Sequence, residues 1–311
     1  MRRNEGSLGA LALVLIAPIA AFPPTSSAAD EAARAPIERW EVRVESFDAV
    51  KRELEVSFEP ADGRPHVGLQ VASPELAQIA RRFAGRSAVI EVRKSDKTQE
   101  LESIAVVLSW GQILWSLAAG LLFLLVTALL LVGMRLSGLL LGDDGRYSNS
   151  KVQMATWFSV LVSGYVAANV IRGWEGGLSQ LGGIDIPSNL LLLSGLSALT
   201  FAAAKGIRQS KEDAAVAQGR APSAALPPGS ARFFANLATD NLGRVDIADF
   251  QMIVVTILAV GVYAGRLWDF LGAVKLGPTV SLPDVDSTIL ATFGLGQGAY
   301  LGKKYLGGIE K

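Results

Sequence analysis

Cysteine is missing from this chain, histidine occurs once, and neither charge is in excess: 29 basic residues face 29 acidic ones among 311. The first absence removes disulfides, thiolate metal sites, iron–sulfur clusters and cysteine nucleophiles together. The second leaves His66 with no other imidazole to share a metal and no evident nucleophile, so it reads as a solvated loop residue beside Pro65. The third removes the electrostatic footprint of a nucleic-acid binder. No catalytic residues, cofactor site or metal site emerge, and a non-enzymatic protein is expected. What is plentiful is apolar. Half of the residues are hydrophobic and only 19% are charged, too apolar a balance for an ordinary soluble domain of this length.

The N-terminus reads as a signal peptide over residues 1–29. Arg2 and Arg3 carry its charge, Leu8 to Phe22 form an apolar stretch too short for a span, and Ser27-Ala28-Ala29 is a small-residue cleavage site. Residues 30–108 then form an extracytoplasmic, polar domain. Trp40 to Glu45 and Leu54 to Glu59 alternate apolar and polar, Val67 to Val71 makes a third strand, and Ala61-Asp62-Gly63 is a turn. A helix follows, capped by Ser73, started by Pro74, lined by Leu76, Ile79, Ala80 and Phe83, and ended by Gly85. Strands at Ala88 to Lys94 and Leu101 to Val107, joined by a turn at Ser95-Asp96-Lys97, complete a β3-α-β2 order. That is the element order of an OB-fold, and the domain resembles one on this ground alone. Nucleic-acid binding is not expected. The strands offer only Trp40, Phe47 and Phe58 for stacking, among Glu41, Glu45, Glu53, Glu55 and Glu59.

Beyond residue 108 the chain predicts an all-α membrane domain, giving a mixed fold overall. Trp110 to Met134 runs for 25 residues without a charge, and further spans are expected near Val152–Ile171, Ile186–Ala204, Phe250–Gly265 (extending to about Leu271) and Ser287–Gly302. The expected divisions are a first helix at 109–135, a two-helix repeat at 136–206, a cytoplasmic linker at 207–229 with Pro222, Pro227 and Pro228, and a second repeat at 230–311. Ser230 to Leu237 reads as a short interfacial helix. With 30–108 outside, only Arg172, Arg266 and Lys275 of the membrane half face out, while Arg135, Lys151, Lys205, Arg232, Lys303, Lys304 and Lys311 stay inside. That is the charge bias of a multi-pass inner-membrane protein with a cytoplasmic C-terminus.

The repeats are announced by a motif written twice, about 98 positions apart: Gly145, Arg146, Ser148, Gln153 and Met154, then Gly243, Arg244, Asp246, Gln251 and Met252. Tyr165 and Tyr263 keep the register. Each copy leads into an apolar run, followed by a second run that starts at proline (Pro187, Pro283) and ends at lysine (Lys205, Lys304). Because both repeats start inside, they are parallel. The motif predicts a positive-φ glycine turn and a helix cap from Ser148 and Asp246. The paired glutamines are expected to face a neighbouring helix or a wet vestibule, both at one cytoplasmic mouth. A calcium loop is the alternative, but Lys151 stands where a bidentate glutamate belongs and neither copy has the ligand series.

Gly294 to Ala299 fits a loose dinucleotide pattern inside a span, where that reading has no context. Gly294, Gly298 and Gly302 fall four apart and predict close helix packing, with Ser194 and Ala198 a weaker counterpart. Gln297 near mid-span is expected to face protein or water, and Arg266 and Asp269 to pair near the outer end of their helix.

At Asp143 to Trp157 the chain resembles uncharacterised bacterial multi-pass membrane proteins that carry Tyr-Ser-x-x-Arg/Lys-x-Gln-Met-x-x-Trp before a span, and the likeness extends loosely through Lys205. The second copy departs from that pattern, with Asp249 at the basic position and Val255 at the aromatic one. The resemblance implies no activity. The sequence therefore predicts a bilayer-embedded homo-oligomer or partner of other membrane proteins: a pore or the membrane subunit of a complex, with an exported sensing or binding domain. The alternative is a monomeric anchor whose exported domain binds a protein or envelope polymer.

Overall fold

The computed structural model describes residues 37–58, 66–94, 99–133, 136–142, 145–219, 232–239, 246–277 and 279–306. The expected signal peptide, the turns at 61–63 and 95–97, the prolines of the linker, and Gly243 and Arg244 lie outside them. The expected mixture of a β-rich domain and a helical region is present.

Strands β1 (Ile37–Asp48), β2 (Glu53–Phe58) and β3 (Val67–Gln70) form an antiparallel meander. Helix α1 (Pro74–Phe83) follows, with Ser73 Oγ accepting from the Glu75 amide and Leu76, Ile79, Ala80 and Phe83 buried, as the sequence predicts. Strands β4 (Ser87–Lys94) and β5 (Gln99–Val107) then pair with each other, and β4 also pairs with β1. A single parallel contact, Gln70 opposite Glu100, brings β3 onto β5 and closes the sheet on itself. Inside, Val44, Leu54, Val56, Leu69, Ile90, Val92 and Ile104 alternate with outward polar residues and form one core.

Ser109 caps the first long helix, α2 (Trp110–Val132), by a reciprocal exchange: its Oγ accepts from the Gln112 amide, while Gln112 Oε1 accepts from the Ser109 amide at 2.9 Å. Two hairpins follow. The first is α3 (Asn149–Gly176), a short strand β6 (Ile184–Asp185) and α4 (Ser188–Ala217). After the one-and-a-half-turn helix α5 (Phe233–Ala238) comes the second, α6 (Ile247–Gly272), strands β7 (Ala273–Leu276) and β8 (Val280–Ser281), and α7 (Ser287–Leu306). β6 and β8 pair in parallel, so the two hairpin bends lie side by side.

Among the described residues, four helices, α2, α3, α4 and α6, are long and apolar enough to cross a membrane. The fifth expected span, α7, does not reach that apolarity, because Gln297, Tyr300, Lys303 and Lys304 interrupt it. Helix α4 also runs to Ala217, well into the segment expected as a linker; Arg208 and Glu212, one turn apart, pair at 2.7 Å on this extension.

Close helix approach falls at Gly120 and Gly164 rather than at the expected Gly298 and Gly302. A Cβ on Gly120 would lie 2.6 Å from the Ser163 carbonyl oxygen, and one on Gly164 would lie 2.7 Å from Leu267, so α2, α3 and α6 approach at these two points. Gly298 and Gly302 instead face outward with nothing within 4 Å, because the buried side of α7 is the one carrying Phe293, Gly296, Gln297 and Tyr300. Ala198 likewise is exposed, and Ser194 Oγ turns back to the Leu190 carbonyl.

Candidate functional site

The repeated motif builds the end of the bundle away from the β domain. Gly145 takes the expected positive φ of 74°. Arg146 donates to the Thr239 carbonyl and hydroxyl, Asn149 Nδ2 to the Leu237 carbonyl, and Tyr147 meets the Phe233 ring edge-on, so the first copy holds α5, the segment leading into the second. Asp246 caps α6 as expected, accepting from the Ala248 and Asp249 amides. Ser148 does not cap α3. Its hydroxyl lies 3.2 Å from that of Ser150, and the Lys151 amine donates to the Leu141 carbonyl to secure the preceding turn. In the second copy, the carboxylates of Asp246 and Asp249 both face the Lys303 amine.

The paired glutamines part company. Gln153 is buried and donates to Thr256 Oγ1 at 2.9 Å, while Met154 beside it is half-buried. Gln251 is exposed and Met252 is buried in its place. The buried stripe of α6 runs through Met252, Thr256, Ala259 and Tyr263, one residue out of step with the sequence match to α3. One residue on a helix is a rotation of about 100°, which carries Gln251 off the interface. The two amides therefore do not share a mouth.

Above Gln153, the interior is filled rather than hollow. Trp157 is 1% exposed and packs against Tyr263 at 6.0 Å and edge-on against Phe293 at 5.8 Å between centroids. Gln297 sits one turn along α7 from Phe293 and is 3% exposed, facing protein as its sequence position required.

At the other end, the bundle is fused to the β domain. β7 continues α6 and pairs antiparallel with β5, with Ile104 opposite Leu276 and Val107 opposite Ala273. Leu276 enters the β-domain core and Val274 the bundle core, so one short strand belongs to both. Arg172, expected at the outer surface, is 1% exposed. It donates through Nε to the Gln180 carbonyl and through Nη1 and Nη2 to those of Lys275 and Gly277, at 2.8 to 3.1 Å. Gln180 Oε1 in turn accepts from the Gly277 amide at 3.0 Å. Around this clamp, Lys275 pairs with Glu91 and Arg86 with Glu175, each at 2.7 Å. Burial opposes the charge on Glu91, but hydrogen bonds from Lys275 and Ser103 outweigh it and hold the carboxyl below its ordinary value.

A shallow cleft beside this joint is lined by Tyr263, Arg266, Asp284 and Asp286. Arg266 donates to the Asp284 carbonyl at 2.9 Å rather than pairing with Asp269, and both members of the expected pair are exposed. The exposed Asp286 carboxyl is held below its ordinary value by the Thr288 amide at the start of α7. His66, in keeping with its loop reading, is exposed, 3.9 Å from Glu55.

Arg172, Thr256, Trp157 and β7 carry the joint and the interior, and the sequence assigned none of the four that place. Trp157 had a signal, as the last residue of the motif. Arg172 had only its position near a helix end, which reads equally as a snorkelling cation. Comparisons with known protein families, with curated proteins and with solved structures give no match.

Proposed function

We propose that the chain is a non-enzymatic, multi-pass inner-membrane protein that serves as the membrane subunit of a complex. Its OB-like domain is exported and is the binding part, and the helical hairpins are its parallel-repeat core. The β1-β2-β3-α1-β4-β5 order, with β3 returning onto β5, supports the OB-like reading. The orientation rests on the Lys and Arg distribution. The observation that carries the proposal is β7, a strand of the second hairpin that completes the sheet of the binding domain. A domain that only needed tethering would not require a strand from the bundle, so β7 favours coupling over anchoring. The aromatic contacts of Trp157 with Tyr263 and Phe293 fill the middle of the bundle, and of the two forms, pore and subunit, they favour the subunit.

Cross-linking in native membranes tests this. A defined higher species, either a homo-oligomer or a pairing with another membrane protein, is expected. Recovery of the chain only as a monomer would favour the anchor, and ion flux from proteoliposomes of the purified chain would favour the pore.

A further inference from the structure

At the two ends of the bundle, Arg86 stands against Glu175, Lys275 against Glu91, Lys303 against Asp246 and Asp249, and Arg208 against Glu212. Lys211 and Lys304 are placed differently. Helices α4 and α7 lie side by side and run in the same direction. Asn189 at the start of α4 bonds Asp284 and the Val285 carbonyl just before α7, and Lys211 late in α4 donates to the Lys304 carbonyl in the last turn of α7. The Lys304 amine folds back on its own helix, donating to Tyr300 Oη at 3.1 Å and lying 5.3 Å from the centre of that ring. Two ammoniums from neighbouring helices are thus held together, close enough for the charge of Lys304 to act on Lys211.

Like charges held together repel unless an anion joins them. The carboxylates near this end are engaged or turned away. Arg208 holds Glu212, and Lys303 holds Asp246 and Asp249. Asp213 is exposed, two residues on from Lys211 and so about 200° round the helix. Among the described residues, neither lysine pairs with a carboxylate. An ammonium has three N–H donors. Lys211 uses one on a carbonyl that closes α7, Lys304 uses one on the tyrosine, and the others are left for a shared acceptor. Depth narrows what that acceptor is. The apolar part of α4 ends at Ala204, and Lys211 lies about 10 Å further along the axis, at the level of lipid headgroups when the apolar part fills the hydrocarbon layer.

We propose that Lys211 and Lys304 form a phosphate site between the ends of α4 and α7, filled by the headgroup of an anionic phospholipid or by free phosphate. A phosphate carries several acceptor oxygens and the charge that two ammoniums lack. The lipid source rests on the membrane reading, and neither source depends on the orientation of the chain or on its partners.

The full chain, purified in non-ionic detergent and stripped of lipid, is given phosphatidylglycerol, phosphatidylcholine or inorganic phosphate. Bound lipid is read by native mass spectrometry and stability by melting curves. Phosphatidylcholine is the control, since its choline cancels the phosphate charge. Phosphatidylglycerol should be retained on the order of tenfold better than phosphatidylcholine and should raise the melting temperature more. Lys211→Gln combined with Lys304→Gln should remove most of that preference. Lys205→Gln, at an exposed lysine on another side of α4, should leave it intact. Stabilisation by inorganic phosphate, lost in the double variant and not increased by phosphatidylglycerol, assigns the site to the soluble anion. The site is overturned if the double variant keeps the wild-type preference, if Lys205→Gln loses as much, or if neither anion stabilises the chain beyond phosphatidylcholine. Should the double variant not fold, Lys211→Gln alone decides on the same terms. Recovery of a monomer on cross-linking would count against the complex and leave these results standing.

Discussion

Arg172 and Gly277 are 105 residues apart in sequence, and the guanidinium of one donates to the carbonyl of the other at 2.8 Å in a fully buried setting. The same side chain serves Gln180 and Lys275. A cation shared among carbonyls, with no carboxylate beside it among these partners, works as a geometric fastener. Its planar fork reaches three acceptors at once, where a lysine ammonium on a flexible stem would not.

Arg172→Lys is accordingly not conservative. Hydrogen bonds from a charged donor contribute about 1.5–3 kcal/mol each, and at least one buried carbonyl is left without a donor. We expect about 3 kcal/mol of lost stability in detergent melting curves. Hydrogen exchange should rise at 273–277 with little change at 87–94. Equal protection of β7 in the variant would show that the clamp is not what holds it.

The glycines make opposite predictions on two helices. Gly120→Leu puts side-chain atoms into the Ser163 backbone, and overpacking of this kind costs about 1–3 kcal/mol. Gly298→Leu meets open surface in the single chain and should leave its melting temperature unchanged. A loss of stability or of oligomeric state from Gly298→Leu would assign that face to a contact between chains.

Of the two motif glutamines, only one matters for stability. Gln153→Leu removes the bond to Thr256 and should cost about 0.6 kcal/mol, the average for such bonds between membrane helices. Gln251→Leu, on an exposed position, should cost nothing measurable. The two variants melting alike would restore the symmetric arrangement.

The joint should also respond to acid. Because the Glu91 carboxyl titrates lower when folded than when free, its pairing stabilises above the free carboxyl's pKa of about 4.3. That contribution fades as the pH falls through the folded value. The melting temperature of the wild type should therefore drop more steeply between about pH 5 and pH 3 than that of Glu91→Gln. Parallel curves would mean that the pair with Lys275 contributes nothing.

Topology is open to a direct check. A reporter fused after Lys311 should be active only as a cytoplasmic enzyme, and one inserted at Ser95 only as an exported one. Export of the C-terminal fusion would overturn the orientation.

What the sequence made legible was local. Ser73, Pro74 and the buried stripe to Phe83 defined α1 because cap, turn and periodicity lie within one short stretch. The start of α2 was equally plain, from its uncharged run. The motif's glycine turn and the Asp246 cap were readable for the same reason. What escaped was set by partners far along the chain. Ala273 to Leu276 alternates burial like any edge strand, but nothing near it names β5 as its neighbour. Burial of Gln153 and exposure of Gln251 differ through a rotation of α6 that leaves no trace in its own residues. Gly298 and Gly302 had the spacing for close packing, and only the orientation of α7 decided that they point away.

The source of β7 has a consequence for how the protein is made. Residues 37–107 leave the ribosome long before Ala273 to Leu276 exist, so the nascent β domain must wait with the Ile104–Val107 edge of β5 bare. An uncovered strand edge invites pairing with the wrong chain. Completion of that sheet is thereby tied to synthesis of the final hairpin. A chain truncated after Gly272 would lack both the partner of that edge and the Leu276 side chain of the β-domain core.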